Sequence, residues 1–380
     1  MTLDRLLIQN LRNLSSVDIN LSGRVNLFYG ENGSGKTSIL EAINVLALGR
    51  SFRSHKHKSL INVDHVEFTV FGRVTDDKGT DIPVGVNRQR DGTSSYKVNG
   101  SLVSSAADLA SYIPVQVINS DSFLLLEGPP TVRRQFMDWL VFHVEPTFFP
   151  LWKASQRCLK HRNSLLRRDR MAAQDSPARN ELASWDQELV MLTEEIHVLR
   201  GRCVERLMVV FYGLLKEFVG VDGISIGYVC GWGEGDSLAP SYAEALDRTM
   251  VRDYHQGYTQ LGSHRADLKV TLNNQAAAEL LSRGQQKLLV CALKIAQGYV
   301  FSQITGRKTL YLVDDLPAEL DERHRTLLAH WLDAMDTQVF ITGVDQESLV
   351  SIWKDKPSAA VKLFHVEQGK VAEVHKTLVE

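Results

Sequence analysis

Short apolar runs separated by turns open the chain and predict strands. Leu6–Ile8, Val17–Ile19 and Arg24–Tyr29 are such runs, and runs of this length bounded by polar residues are typical of strands. After the third run, apolar residues recur at helical spacing from Ile39 to Leu46. We therefore expect two strands joined by a turn, then a strand, a glycine-rich loop and a helix.

Two further segments predict additional strands. Between residues 66 and 103 the chain alternates and turns often, as at Asp91-Gly92 and Asn99-Gly100, which predicts a small antiparallel sheet. After Gly262 the mixed texture returns, with strands expected at Thr309–Val313 and Gln338–Thr342. Thr309–Val313 is apolar on both faces except at its start, which favours a buried parallel strand.

The middle of the chain has a helical texture. From Phe148 to Leu166 and from Leu182 to Phe218, apolar residues recur mostly in threes and fours, with a polar loop around residues 175–177 between them. A helix from about Glu181 to Phe218 would span roughly 55 Å. The pattern predicts an antiparallel hairpin, either as a projecting arm or as a helical subdomain with an ordinary core.

Together these patterns predict an α/β protein with a helical insertion. We expect residues 1–125 and 259–380 to form one α/β lobe, with residues 126–258 as the inserted helical lobe. A chain of 380 residues is long enough for two lobes with separate cores. It has no run of about 20 apolar residues and no signal peptide, so we expect a cytoplasmic protein without a membrane span.

Composition excludes some site types. The four cysteines are far apart in sequence, which argues against a zinc site or a disulfide framework and predicts buried thiols. The net charge of −2 means that any nucleic-acid surface must be local.

The segment Gly30–Thr37 is a complete phosphate-binding loop between a predicted strand and a predicted helix. Glycines allow the backbone amides to surround phosphates, and the following helix N-terminus favours negative charge. Lys36 supplies a charge for the β- and γ-phosphates, and the Thr37 hydroxyl can bind Mg²⁺. We expect this loop to bind ATP.

Two acids, Asp314 and Asp315, end the apolar strand. A strand that brings an acid to the phosphate edge of a parallel sheet is the usual way to hold a metal. We expect Asp314 to hold Mg²⁺, directly or through water, and Asp315 to polarise the attacking water. The alternative is a solvated turn.

The segment Leu281–Gln286 opens a predicted helix. Ser282 and Gly284 can approach a phosphate closely, although Ser is also an ordinary N-cap residue. A phosphate loop upstream and the acid pair downstream make the segment more informative than it is alone.

The order of these motifs, with Glu319-Leu320-Asp321 at the end, resembles the ABC-type ATPases and, within them, the SMC-like repair branch that contains RecF-like proteins. The match to RecF-like proteins extends over almost the whole chain. It rests on the segments Leu11–Leu14, Gly30–Thr37, Gly49–Arg53, Arg133–Asp138, Gly262–Leu268, Leu281–Lys287 and Asp314–Asp321.

The resemblance implies an ABC-type P-loop ATPase head with a mixed sheet, plus an inserted helical coiled-coil arm lobe. It also implies a head-to-head dimer with two ATP molecules, in which the signature of one copy covers the γ-phosphate held by Lys36 of the other. Gln116 would sense Mg²⁺ and water, and Asp321 would lie at the dimer seam. The implied nucleotide-contacting residues are Arg12, Asn13, Gly30, Asn32, Gly33, Ser34, Gly35, Lys36, Thr37, Ser38, Ser282, Gly284 and Gln285.

The resemblance to RecF-like proteins also implies partners. They bind double-stranded DNA as ATP-bound dimers and act at gapped DNA or single-strand/double-strand junctions. They act with RecR and RecO to place the RecA recombinase.

Several positions depart from the wider ABC pattern. Asp315 stands where Glu is usual and is one methylene shorter, so we expect slow hydrolysis. The expected His after the last core strand is missing, and Thr342 or a neighbour occupies its place. Ala318 replaces a common Ser, and Asn119–Asp121 diverges after Gln116.

Two basic segments are candidate DNA contacts. Arg50, Arg53, Lys56 and Lys58 follow the phosphate-loop helix and could contact DNA phosphates, or form a solvated loop. A second cluster, Lys160–Arg162 with Arg167–Arg170, lies near the expected arm tip or at a solvated helix end.

Two other function classes share parts of this pattern. The ATPase subunit of a membrane transporter has the same loop, signature and acids, but the helical hairpin and the missing His argue against it. A non-hydrolysing ATP-binding scaffold is the other alternative, because Asp315 replaces Glu. A small-molecule kinase fits less well, because it should lack the Ser282–Gln285 segment.

Overall fold

This computed structural model describes residues 1–54, 56–168, 177–233, 241–316, 320–353 and 360–374, without the side chains of residues 177–180 and 218. The chain forms two compact units. Unit 1 comprises Met1–Ser122 and Lys287–Glu380, and unit 2 comprises Phe123–Gln286.

Strands build three sheets in the described part of the chain. In chain order they are β1 Thr2–Leu11, β2 Leu14–Asn20, β3 Val25–Tyr29, β4 Glu67–Thr75, β5 Asp81–Gln89, β6 Ser94–Val98, β7 Ser101–Val103, β8 Val115–Ile118, β9 Ile224–Val229, β10 Asp267–Leu272, β11 Gln275–Ala276, β12 Leu310–Val313, β13 Val339–Gly343, β14 Val361–Glu367 and β15 Lys370–Val374.

The α-helices of the described part follow the same numbering. They are α1 Lys36–Leu48, α2 Ala106–Tyr112, α3 Leu124–Glu127, α4 Pro130–Val144, α5 Phe148–Arg168, α6 Pro177–Phe218, α7 Tyr242–Gln256, α8 Ala277–Leu280, α9 Arg283–Thr305, α10 Glu322–Ala334 and α11 Gln346–Val350.

Unit 1 contains two six-stranded sheets. The first is antiparallel, in the order β2-β1-β4-β5-β6-β7, so the small sheet expected from residues 66–103 also includes the first two strands. The second has the order β15-β14-β3-β13-β12-β8 and is parallel except for β15. The expectation of an α/β fold with a mixed sheet is confirmed.

Helix α1 is buried from both sides. Its Leu40 and Leu46 belong to one apolar cluster with Val70 of the antiparallel sheet and Phe340 of the parallel sheet. Burial of such side chains contributes about 1.5–3 kcal/mol each, so α1 is firmly held. The loop that precedes α1 is therefore attached to a rigid support.

The parallel register brings four strand ends to one edge. Tyr29 is opposite Gly343, and Val313 is opposite both Ile341 and Ile118. In parallel sheets, ligands bind at the carboxyl ends of the strands. The sheet therefore gathers the loops after β3, β8, β12 and β13.

Unit 2 combines helices with a three-stranded antiparallel sheet in the order β11-β10-β9. The expected lobe boundary at residue 258 differs from the observed one at Gln286. The reason is that β10 pairs along its length with β9, from Asp267 opposite Val229 to Leu272 opposite Ile224. This pairing keeps the segment after residue 258 in unit 2.

The expected helical hairpin is present, and it is part of a packed lobe. Helices α5 and α6 run antiparallel, with Arg157 near Glu188 and Arg168 near Glu181. Helix α7 packs on them in the clusters that contain Leu189 and Leu166. This part of the hairpin therefore shares a core with α7. The expected loop at residues 175–177 falls largely outside the described residues.

Buried ion pairs tie unit 2 together. Arg162 has no exposed side-chain surface and donates to Asp186 of α6 (2.5 Å) and Asp253 of α7 (2.7 Å). Arg200 of α6 binds Asp138 of α4 (2.7 Å) and the carbonyl of Ser263 (2.6 Å). Arg162 is therefore a structural residue rather than a member of a solvated basic cluster.

Two composition-based expectations can be compared with the structure. All four cysteines are buried thiols, as expected. Helix α9 is the one helix in the described ranges that is long and apolar enough to cross a membrane, but 67% of its most apolar window is buried inside the protein, as in a core helix.

Candidate nucleotide-binding site

The phosphate loop has a backbone that only glycine permits at two positions. Gly30 has φ 152°, and a Cβ there would lie 2.1 Å from the carbonyl oxygen of Val366. Gly35 has φ 121°, and its Cβ would lie 2.9 Å from Leu14 Cδ2. These positions allow the loop to approach its neighbours closely and to turn directly into α1.

Lys36 spans the loop. Its Nζ donates to the carbonyls of Gly30 (2.7 Å) and Glu31 (2.8 Å). Burial lowers the pKa of Lys36 from its ordinary value, while Asp315 and Asp314 oppose that shift. An ammonium has three donors, so one donor of Lys36 is available to a phosphate.

A hydroxyl and a carboxylate meet at the sheet edge. Thr37 Oγ1 donates to Asp314 Oδ1 (2.9 Å), and Thr342 Oγ1 donates to the same oxygen (2.8 Å). Burial raises the pKa of Asp314, and the hydrogen bonds from Thr342 and Thr37 oppose that shift. Hydroxyl and carboxylate oxygens are the ligands that Mg²⁺ accepts.

Asp315 lies beside this pair in an unusual backbone conformation. Its φ is 53°, a left-handed value that is uncommon for residues other than glycine. Its N–H donates to Thr342 Oγ1 (2.7 Å). Thr342, which stands near the place of the missing His, thus orients both acids.

The turn between β1 and β2 supports the loop from the other side. Asn13 donates to the carbonyl of Gly33 (3.2 Å) and accepts from Ser38 Oγ (3.0 Å). Arg12 forms a two-point ion pair with the fully buried Glu41 (2.9 and 2.8 Å). This hydrogen bonding raises the pKa of Arg12, and the pair fixes the turn against α1.

These residues surround a cavity of about 780 Å³ in unit 1. Most sequence-predicted residues of this unit line it, whereas Gly30, Ser34 and Gln116 do not. The lining residues are Arg12, Asn13, Asn32, Gly33, Gly35, Lys36, Thr37, Ser38, Arg53, Ser59, Ile61, Asn62, Val63, Asp64, Asp314, Asp315 and Thr342.

Arg53, which was predicted to contact DNA, lines this cavity. Burial raises the pKa of Asp314, and the charge of Arg53 opposes that shift. A cation in this position can contact a bound phosphate. The sequence did not predict that residues between Ser59 and Asp64 line the cavity. This segment has an ordinary composition, which gives no signal for a ligand site.

Gln116 is not brought to the site. It is 5% exposed, and its amide donates to the side chain of Gln297 on α9. It lies two residues before the end of β8, opposite Tyr311 rather than at the edge, which is about 7 Å from that edge at 3.3 Å per residue. The first residue after β8 is Asn119, which accepts from Ser122 Oγ (3.0 Å).

The signature segment lies at the end of unit 2. Ser282 is exposed and caps α9: its hydroxyl accepts from the N–H of Gln285 (3.3 Å), whose side chain accepts from the N–H of Ser282 (2.9 Å). This reciprocal pair is a capping box. Gly284 is also exposed, and a Cβ there would meet nothing within 4 Å. Ser282 therefore caps α9 and is at the same time exposed to solvent.

Other predicted residues have plain positions. Asp321 caps α10 by accepting from the N–H of His324 (3.0 Å), while its side chain remains exposed. Ala318 and Glu319 lie outside the described residues, as do His55 and Asp169-Arg170. Arg50, Lys56 and Lys58 are exposed on the segment after α1.

Comparison with known proteins agrees with this geometry. The profile of the RecF/RecN/SMC N terminal domain family matches residues 2–372. The DNA replication and repair protein RecF of Cellvibrio japonicus is 61% identical over 372 residues, covering 98% of this chain and 99% of that protein. RecF of Pseudomonas entomophila is 45% identical over 375 residues, covering 99% of both chains.

Solved structures give the same result. A structure of the recombination mediator protein RecF with ATP, in the RecFOR pathway, has a TM-score of 0.86 at 25% identity and covers 98% of this chain and 97% of its own. An Smc head bound to the C-winged helix domain of ScpA has a TM-score of 0.58 at 14% identity, which shows a shared fold, and covers 99% of this chain and 98% of its own. The chain therefore belongs to the RecF family of DNA-repair ATPases, within the RecF/RecN/SMC group.

Proposed function

We propose that this protein binds double-stranded DNA in an ATP-dependent manner as an ATP-induced dimer, and that it hydrolyses ATP slowly in DNA repair. The observation that supports the proposal most is that the phosphate loop and the signature serine lie in different parts of the chain. Unit 1 holds a phosphate loop beside Asp314 and Asp315, and Ser282 faces solvent at the start of α9.

The loop is suited to a triphosphate. Ser34 Oγ is buried and has no hydrogen-bond partner among the described residues, so it can serve a phosphate oxygen. Lys36 has a spare donor, and the solved RecF relative contains ATP. Thr37 and Asp314 would hold Mg²⁺, which when bound neutralises phosphate charge.

Asp315 is the candidate general base. Its backbone is fixed through Thr342 (2.7 Å), and a carboxylate in this position can take a proton from the attacking water. A shorter acid than Glu reaches less far, which is the reason for the slow hydrolysis that we propose.

The dimer would complete each site. Ser282 and Gly284 are exposed, and Gln285 is occupied in holding Ser282 at the helix end. A helix N-terminus favours a phosphate, so Ser282 of one copy would cover the γ-phosphate held by Lys36 of the other.

Exposed cations of unit 1 would contact DNA. Arg50, Lys56 and Lys58 fit this role, and Arg53 is now assigned to the nucleotide cavity. Because the solved relative is placed in the RecFOR pathway, we extend the proposal to RecR, acting with RecO, and to placement of RecA at gapped DNA or single-strand/double-strand junctions.

The competing functions are less well supported. Because the chain belongs to the RecF family, we reject the hypothesis of a membrane-transporter subunit. A non-hydrolysing scaffold would have no use for the ordered pair Asp314 and Asp315, whose positions Thr342 fixes.

Duplex binding tests the nucleotide link. We expect wild-type protein to bind a labelled duplex tightly only with ATP and Mg²⁺, and with strong salt dependence. Lys36→Met removes the phosphate cation, so its affinity with ATP should fall at least tenfold, to the wild-type level without ATP. Fluorescence anisotropy measures both, and equal binding of the two proteins in ATP would refute the link.

A further inference from the structure

Helix α5 of unit 2 concentrates positive charge. Its 21 residues include six lysines and arginines and no aspartate or glutamate, although the whole chain has a net charge of −2. Such a one-sided segment is unusual on a nearly neutral protein and indicates a local polyanion contact.

Three of the six cations form a line on one face. Lys153, Lys160 and Arg167 recur every seven residues, which keeps them on the same side of a helix with only about 20° of drift per step. Seven residues rise about 10.5 Å, so the three span roughly 21 Å. All three are exposed. We call these three residues the basic stripe.

The other cations of α5 are already engaged. Arg162 is buried between two aspartates. Arg157 lies 3.6 Å from Glu188, and Arg168 lies 3.1 Å from Glu181. The basic stripe, by contrast, has no ion pair with any residue in the described ranges. Its charges are therefore the ones that α5 leaves for another molecule.

The same face is uncovered in the described part of the chain. Lys153, Lys160 and Arg167 are exposed, and so are Gln156 and Ser164 on the same side of α5. The described residues therefore leave the stripe accessible to a ligand.

We propose that the basic stripe binds the phosphate backbone of double-stranded DNA. A duplex carries one negative charge per about 1.7 Å of axis, and it is stiff over more than 21 Å. A rigid line of cations can meet a rigid line of phosphates without ordering either, whereas a single strand would first have to be ordered. The inference rests on the proposed DNA-binding function and adds a second DNA surface, on unit 2.

The test compares two triple variants with wild type. K153A/K160A/R167A removes the stripe, and R202A/R206A/K216A removes three exposed cations of α6 as the control. Binding of ATP-loaded protein to a labelled duplex and to a single strand is measured from 50 to 300 mM salt. On the duplex, each phosphate contact contributes about 0.9 to the logarithmic salt slope.

For the stripe variant, we expect the magnitude of the logarithmic salt slope on duplex to fall by about 2 to 3, and the duplex affinity to fall at least tenfold. The duplex affinity of the control should stay within about twofold of wild type. Thermal unfolding verifies that both variants are folded. An unchanged duplex slope, an equal loss in the control, or a loss confined to the single strand would overturn the stripe's role. If wild type itself binds no duplex with ATP, the proposed function fails first.

Discussion

Asp315→Asn is expected to reduce ATP hydrolysis by about a hundredfold or more, because general-base catalysis contributes about 10²–10⁴-fold. The substitution keeps the shape of the side chain and the hydrogen bond from the Asp315 N–H to Thr342. ATP binding should therefore persist within a fewfold. Phosphate release under single-turnover conditions measures the rate, and equilibrium titration with nucleotide measures binding.

Asp315→Glu is the matched control for that experiment. It retains the carboxylate and adds one methylene of reach, so hydrolysis should be at least as fast as in wild type. Wild-type hydrolysis by Asp315→Asn would show that another group activates the water and would remove Asp315 from the mechanism.

Arg162→Met is expected to destabilise unit 2 by about 3–5 kcal/mol, the usual effect of removing one partner from a buried ion pair. Asp186 and Asp253 would remain inside the lobe without their cation, and burial already raises the pKa of both carboxyls. Urea unfolding monitored by circular dichroism measures the loss.

Lys160→Met is the control, since Lys160 lies two residues away on the exposed face of α5. Its free energy of unfolding should change by less than about 0.5 kcal/mol. Similar stability of Arg162→Met and wild type would mean that the ion network does not hold the three helices together.

The phosphate loop and the two acids could be predicted because their signals are local. Gly30–Thr37 stands directly between a strand and a helix, and Asp314 directly follows a buried strand. The parallel register then brings these segments to one edge. The RecF-like resemblance, drawn from segments across the whole chain, agrees with the family that the comparisons show.

Side-chain direction could not be predicted in the same way. Gln116 was expected to sense Mg²⁺ and water, yet it lies inside β8, which continues to Ile118, and its amide donates to Gln297. Arg53 belongs to a basic segment that predicts DNA contacts, and only the fold shows that it lines the nucleotide cavity. Both depend on contacts between residues that are distant in sequence.

Arg162 is an intermediate case. Read as part of Lys160–Arg162, it resembled a solvated cation. Its helical phase places it four residues after the buried Cys158 and four before the buried Leu166, so periodicity could have put it on the core face. Asp253, the other partner of Arg162, lies on α7. No pattern in the sequence predicted that α7 packs against the hairpin.

The nucleotide-dependent mass of the protein in solution tests the shared-site mechanism most directly. Sedimentation velocity compares wild type with Ser282→Arg, each with and without ATP and Mg²⁺. The account predicts a dimer only for wild type with nucleotide, since arginine at the exposed start of α9 would block the approach of a second copy. A dimer of Ser282→Arg in ATP, or a wild-type monomer that still binds duplex with ATP, would contradict it.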